Sequence, residues 1–445
     1  MKISKLSALL LAISLLLPLS RAFAQGTEDE LADLRLLVEQ MRQDYEARIS
    51  DLEERLARTE QLARNARDDA DEAVVLAEQT AIDQSSGSSA PNTFNPSIGA
   101  VLAGRYADIG RGWDDIPGFQ SGGEIGTGGS GFSLGEAELN LKANVDSRYY
   151  GNLTIGIHED EGETEVGLEE AWLQTTSLPL GVSVTGGRFF SAAGYLNSFH
   201  FHADDFIDRP LPYQAFFGGR YSVDGLQARW VAPTSLLLEL GSEINWGSGF
   251  PASASAETSP GGWTLFSKVG GDLGDSHSWQ FGLSHTSADA VDRAGATNEL
   301  FSGDSDLTIA DFVWKWAPQG NSQARSLKVQ GEYFRRSEDG SFAGIPYSGD
   351  QDGWYLQGVL KFAPLWRIGI RQDVVDANNG ALLTGTEIED PGRSSYRSSL
   401  MIDWSSSEYS RLRLQYTNDK VLPVSDQQWY LQYIMSIGAH GAHQF

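Results

Sequence analysis

The stretch Phe199-His200-Phe201-His202-Ala203-Asp204-Asp205 has the composition of a ligand site. If it is extended, His200 and His202 point the same way, and Asp204 or Asp205 adds a carboxylate oxygen. Imidazole with carboxylate suits zinc or another divalent ion, but two imidazoles are only half a site. The competing reading is a loop whose His and Asp side chains hydrogen-bond to the wall they meet. His440 and His443, in the terminal GAHGAHQF, read as interfacial residues rather than as a second metal site.

Other chemistry is sparse. Gly131-Phe132-Ser133-Leu134-Gly135 matches G-x-S-x-G literally. A Gly/Ser-rich loop runs there into an alternating strand, however, and not into the strand-to-helix elbow that the motif needs. His158 beside Glu159, Asp160 and Glu161 reads as a solvated acidic loop. The chain has no H-E-x-x-H and no G-x-x-x-x-G-K. It has no cysteine in 445 residues, which removes thiol catalysis, Cys-ligated zinc and disulfides together. The expectation is a protein that is not an enzyme, with no cofactor beyond a candidate zinc. A formal net charge of −27 argues against nucleic acid as a partner.

The elements that must position the histidines are strands. After residue 95 the chain breaks into short alternating segments separated by Gly/Asp/Ser/Asn loops. They lie near 95–108, 132–145, 148–158, 164–176, 181–190, 219–232, 236–246, 262–272, 277–288, 306–317, 326–337, 352–363, 366–375, 394–404, 410–418 and 427–438. Each is long enough for a tilted membrane strand of about 9–11 residues. Leu400, Ile402 and Trp404 oppose Ser399, Met401 and Asp403; Leu412 and Leu414 oppose Arg411 and Arg413. A charged face opposite an apolar one needs water on one side and lipid or a core on the other. A soluble sandwich would share this alternation. The strand number and the final Phe445 after an alternating strand favour an all-β transmembrane barrel of about sixteen antiparallel strands at 95–445. The 193–218 loop is long enough to fold into such a barrel as a constriction.

The lumen face then carries charge of both signs. Arg229, Lys328, Lys361, Arg367, Arg371, Arg397, Arg411 and Arg413 are candidate positive pore-lining residues. Glu138, Glu239, Asp311 and Asp403, with Glu243, Glu332 and Asp373, are candidate negative ones. A mixed set reads as charges that pair and solvate a wide channel rather than as a selectivity ladder.

The N-terminal part is a different polymer. Lys2 and Lys5, the apolar run Leu6 to Leu19 and Ala22-Phe23-Ala24 form a secretory signal at 1–24. Leu31, Leu34, Val38, Met41 and Tyr45 keep coiled-coil spacing. After one stutter the seam continues through Ile49, Leu52, Leu56 and Thr59 into alanines, giving an α-helical coiled coil at 27–82. A small-residue, polar linker follows at 83–94.

An N-terminal coiled coil, Gly187-Arg188-Phe189-Phe190 closing an early strand, and Asp205-Phe206-Ile207-Asp208-Arg209-Pro210-Leu211 together resemble the phosphate-selective porin O and P type. That resemblance implies a sixteen-stranded, trimeric porin. FNPSIGAVLAGRYAD, GRFFSAAGYLN and YIMSIGAHGAHQF are similar to a family of proteobacterial outer-membrane proteins whose members are often labelled zinc-regulated or TonB-dependent receptors. A TonB-dependent transporter needs a ~22-stranded barrel and a folded plug domain, and a coiled coil stands here in the plug's place. The resemblance therefore implies an outer-membrane porin-like channel for passive diffusion of small solutes or ions. It would be embedded in membrane lipid and oligomerised by a periplasmic coiled coil, a homotrimer being favoured. The alternative is a receptor for zinc or another ligand, or a structural tether, with an occluded barrel.

Overall fold

The computed structural model describes residues 96–438, except 124, 161–162, 247–248, 254–259, 296 and 298, together with the pair 42–43. The signal peptide, the coiled coil apart from that pair, the linker, His440, His443 and Phe445 lie outside the described residues.

Among the described residues, seventeen strands form one sheet. They are β1 (Ser97–Asp108), β2 (Gly131–Leu134), β3 (Ala137–Asn144), β4 (Tyr149–Asp160), β5 (Glu163–Thr175), β6 (Val182–Phe190), β7 (Ser222–Val231), β8 (Leu237–Asn245) and β9 (Gly262–Leu273). They continue as β10 (His277–Ala294), β11 (Leu300–Trp316), β12 (Ser326–Phe342), β13 (Ile345–Ala363), β14 (Trp366–Asn378), β15 (Ser395–Ser407), β16 (Ser410–Lys420) and β17 (Asp426–Gly438). Apart from β2 and β3, each strand pairs antiparallel with its neighbour in sequence, and β1 closes the ring against β17 from Gly99↔Gly438 to Asp108↔Trp429. Both β2 and β3 pair with β1, through Ala107↔Gly131 and Val101↔Glu138, so they are two halves of one stave broken at Gly135-Glu136. The barrel thus has sixteen staves, and each of the sixteen segments expected from alternation falls on one of them.

Closure removes the sheet edges, so strand backbone groups find partners without water. The side chains then sort by a period of two. On β15, Leu400 is 47 % exposed while Arg397 and Asp403 are each 1 % exposed. On β16, Leu412 and Leu414 face out, and Arg413, Gln415 and Thr417 are buried inside. On β17, Trp429, Leu431 and Tyr433 face out and Gln428 and Tyr430 face in. Leaving such side chains in water would forgo roughly 1.5–3 kcal/mol each. Apolar outside and charged inside is the pattern of a barrel spanning a membrane, and it inverts that of a soluble sandwich.

Strands β10 to β13 run for 17 to 19 residues, well past the expected ends of those segments. About 9–11 residues suffice to cross a bilayer. Beyond the lipid the sheet continues, but water solvates its outer face, so the apolar alternation that marks a membrane strand stops. The longer connections, 109–130, 191–221, 246–261 and 379–394, all leave this end; short turns such as 274–276 and 364–365 close the other, which carries both ends of the barrel.

Outward Leu400 sits near the middle of β15. Leu400→Arg is expected to cost about 2–4 kcal/mol in urea unfolding from lipid vesicles, the value for a midplane lipid-facing cation. A neutral effect would mean that this face does not meet lipid.

Candidate functional site: a segment clasped inside the barrel

Residues 191–221 leave β6 and turn into the lumen before rejoining the wall at β7. Their two ends are stitched together. Asn197 Nδ2 donates to the carbonyls of Ser191 and Tyr221 at 2.8 Å, and Tyr221 N donates back to Asn197 Oδ1 at 2.8 Å. Between them lies one short helix, α1 (Leu211–Phe217). Pro210 and Pro212 preset its first turn. Gly218 ends it at φ 62°, where a Cβ would stand 1.8 Å from the Gly122 carbonyl oxygen. All seven α1 residues are buried. Leu211, Phe216 and Phe217 pack with inward Ile309, Phe334 and Val375, and with Trp113 and Phe119 of the 109–130 connection. A patch of apolar core therefore sits inside the barrel.

Around this patch the segment is held by charge. Glu332 on β12 accepts from the amides of Tyr195 and Leu196 at 2.9 and 3.0 Å and from the hydroxyls of Tyr213 and Tyr355 at 2.9 and 2.6 Å. Glu243 on β8 accepts from Ser191 Oγ at 2.6 Å and the Ala192 amide at 2.8 Å. Asp205 meets Lys328, Arg367 at 2.8 Å and Gln357 at 3.1 Å. Asp208 meets Arg371 at 2.8 Å, Arg397 at 2.6 Å and Gln415 at 2.6 Å. Burial raises both carboxyls, but Lys328 and Arg367 at Asp205, and Arg371 and Arg397 at Asp208, bring each well below the usual carboxylate range. Asp204 pairs with Arg209 at 2.6 Å, and its burial outweighs that pair, pushing it up to about 6.

The opposite wall has the opposite sign. His200 Nδ1 lies 3.0 Å from Glu138 Oε1 and 3.3 Å from Glu169 Oε2, and its Nε2 lies 3.1 Å from Glu170 Oε2. His202 Nδ1 lies 3.1 Å from the same Glu138 Oε1, with the two imidazoles stacked at 5.6 Å. Arg220 reaches Glu169 at 3.1 Å and Glu136 at 3.7 Å. Burial pulls the His200 imidazolium down, but Glu138, Glu169 and Glu170 overcome this and raise it well above its ordinary value. The wall along β12 to β16 thus offers the segment Lys328, Arg367, Arg371 and Arg397, the wall along β3 to β5 offers Glu138, Glu169 and Glu170, and the segment presents aspartates to the first and histidines to the second.

Two irregularities build the acidic wall. In the β4–β5 pairing Thr154 opposes Glu170 and Ile155 opposes Leu168, leaving Glu169 as an extra residue. This bulge turns the adjacent Glu169 and Glu170 to the same, inner side. The break at Gly135-Glu136 changes the parity of that stave: Phe132 and Leu134 face out before it, Leu139 after it, with Glu138 buried.

The structure places the sequence candidates as follows. His200 and His202 come together, but Asp204 and Asp205 turn away to Arg209 and to Lys328 and Arg367; the carboxylates at the imidazoles are Glu138, Glu169 and Glu170. The 3₁₀ turn Phe201–Ala203 breaks the extended geometry that the expectation assumed. Arg371, Arg397, Arg413, Glu138, Asp311 and Asp403 face inward but are at most 5 % exposed, so they do not line open water. Arg413 donates to the Asp204 carbonyl at 2.7 Å, and Arg367 pairs with Asp403. Arg229 lies 3.6 Å from Glu239. Arg411 is inward, with Nε and Nη1 buried and not hydrogen-bonded. Lys328, Lys361 and Arg367, with Lys315 and Asp205, line a cavity of about 810 Å³ at the short-turn end. Gly131–Leu134 is strand, and β3 rather than a helix follows it. Glu136, Glu169, Glu170 and Arg220 are not among the sequence candidates, and Asp208 enters there only within the Asp205–Leu211 motif; the signal for the acidic wall is the Glu169-Glu170 pair inside an alternating segment.

No family model matches the chain. An uncharacterized protein of Aquifex aeolicus (strain VF5) is 31 % identical over 345 residues, covering 71 % of this chain and 70 % of that protein. Among solved structures, the outer membrane channel DcaP of Acinetobacter baumannii superposes with a TM-score of 0.51 at 12 % identity, covering 77 % of this chain and 97 % of that one. An anion-selective porin from Comamonas acidovorans gives 0.50 at 9 % identity, covering 77 % and 99 %. At such identities the likeness is one of fold: the barrel is a porin barrel.

Asp208→Asn would leave Arg371 with Asp373 and Arg397 with Asp419 as their remaining carboxylates and remove the one that joins both to the segment; breaking a buried pair outright costs about 3–5 kcal/mol, and the loss here is expected to be smaller. Limited proteolysis is then expected to cut within 191–221 in the variant and not in the parent, with the barrel still heat-modifiable on a denaturing gel. Equal resistance would show that the aspartate clasp does not hold the segment.

Proposed function

The chain belongs to one family with the uncharacterized Aquifex aeolicus protein, and from that premise we propose that it is a porin-type channel of the outer membrane whose lumen is narrowed by residues 191–221. The observation that carries this reading is the dryness of the wall beside the segment. Arg397, Arg413 and Asp403 are each 1 % exposed, whereas the walls of a wide porin channel face water. Small solutes or ions enter the lysine-lined cavity at the short-turn end and pass only where the segment leaves room or shifts. Transport here needs no catalytic group, and none is assigned.

The short-turn end faces the periplasm, as short turns do in barrels of this type. The coiled coil expected at 27–82 then lies in the periplasm and joins copies of the chain, three being favoured by the porin O and P resemblance. The complete burial of α1 favours a second reading, in which the barrel is closed and serves as a receptor or tether.

Single-channel recording in a planar bilayer separates these. The parent is expected to give small steps, and a variant with 196–215 replaced by a short Gly/Ser linker much larger ones. Parent steps as large as the variant's would contradict control by the segment. A silent parent beside a conducting variant would support the occluded reading.

A further inference from the structure

Where the segment meets β3 and β5, four carboxylates, Glu136, Glu138, Glu169 and Glu170, face one guanidinium, Arg220, and the imidazoles of His200 and His202. Among the described residues, Arg220 is the one permanently charged cation within ion-pair range of these carboxylates. The Glu136 side chain is 10 % exposed, no amide, hydroxyl or guanidinium donates to either of its oxygens, and it stands against the Glu169 carboxylate. The nearest cation, Arg220 Nη2, stands 3.7 Å from Glu136 Oε1, beyond hydrogen-bonding range.

The spacing of the donor atoms is that of a coordination sphere. An ion held tetrahedrally by nitrogen and oxygen at 2.0–2.2 Å sets its ligand atoms about 3.3 Å apart. Glu138 Oε1 and Glu169 Oε2 lie 3.0 and 3.3 Å from His200 Nδ1. Glu138, Glu169 and His200 offer three ligand atoms within 4.8 Å of one another, as do Glu136, Glu138 and His202. The far side of His200 is also arranged for this role. Its Nε2 is held at 3.1 Å by Glu170, which accepts in turn from Trp172 Nε1 at 2.9 Å and Asn152 Nδ2 at 3.1 Å. A carboxylate on the second ring nitrogen is what orients an imidazole toward a metal. Glu169 and Glu170 reach opposite nitrogens of one imidazole only because of the bulge between them.

We propose that Glu138, Glu169 and His200, with Glu136 and His202 beside them, bind one divalent transition-metal cation that pins the segment to β3 and β5. Mixed imidazole and carboxylate donors favour zinc, cobalt or iron over calcium and magnesium, which take oxygen. The ion takes the place of the proton that otherwise bridges His200 Nδ1 and the Glu138 and Glu169 carboxylates. It ties a strand wall to an inward segment, so its loss frees the histidine side of the clasp while the aspartate side stays paired.

The test uses the full folded chain in detergent, dialysed against zinc chloride and then against metal-free buffer, with bound metal read by plasma mass spectrometry. The parent is expected to keep one zinc per chain and to show the visible bands of four-coordinate cobalt(II) after exchange. His200→Ala/His202→Ala and, separately, Glu138→Gln should lose both signals while remaining heat-modifiable. His440→Ala/His443→Ala should keep them. If the double histidine variant does not fold, the Glu138→Gln protein and the parent cobalt spectrum still decide. A parent that retains no zinc, or variants at His200/His202 or Glu138 that retain as much as the parent, would overturn the site.

Discussion

Lipid will not solvate a charge or an unpaired amide. In this barrel that constraint turns inward the charged residues in the lipid-facing stretches of β3 to β5 and β12 to β16, because closure settles the backbone and the outer face there must be apolar. Arg367, Arg371, Arg397 and Arg413 on one side and Glu138, Glu169 and Glu170 on the other are its direct products. Once inside, such groups need water or partners. Residues 191–221 supply partners, with Asp205 and Asp208 for the cations and His200 for the carboxylates. The segment's charge order is therefore the complement of the wall's.

Ion pairs alone do not explain why the segment docks. Desolvation offsets most of the Coulombic gain of a buried pair, and breaking one costs more than forming it returns. The gain comes instead from α1, whose Leu211, Phe216 and Phe217 leave water against Phe334, Ile309 and Phe119. Apolar packing supplies affinity, and the ring of charges fixes one orientation of the segment. Glu332 joins the two layers, since it takes hydrogen bonds from the segment's amides and from Tyr213 inside the aromatic patch.

The staves were legible because lipid enforces a period of two, and that period survives in a single sequence. The fold lost legibility where the lipid stops: β10 to β13 continue into water, and Asp289 to Ala294 carry no apolar stripe to announce it. The site was half legible. The pairing of His200 with His202 followed from their spacing, but the carboxylates that meet them come from residues 30 to 64 positions away, brought there by barrel curvature and a bulge. Asp204 and Asp205 were misleading neighbours, since a 3₁₀ turn between His200 and Asp204 sends them to a different wall. That Arg371, Arg397, Arg413 and Asp403 are dry rather than wet is a property of the folded segment and has no local sequence signal.

Amide hydrogen exchange across 191–221, in the full chain folded into lipid, bears most directly on the claim that this segment is part of the barrel's packed interior. The account predicts that Tyr195, Leu196, Asn197 and α1 exchange as slowly as the strand amides of β12 and β13, because opening them requires breaking the clasp and exposing the aromatic patch. Exchange as fast as that of a solvated surface loop, beside slow strands, would contradict it.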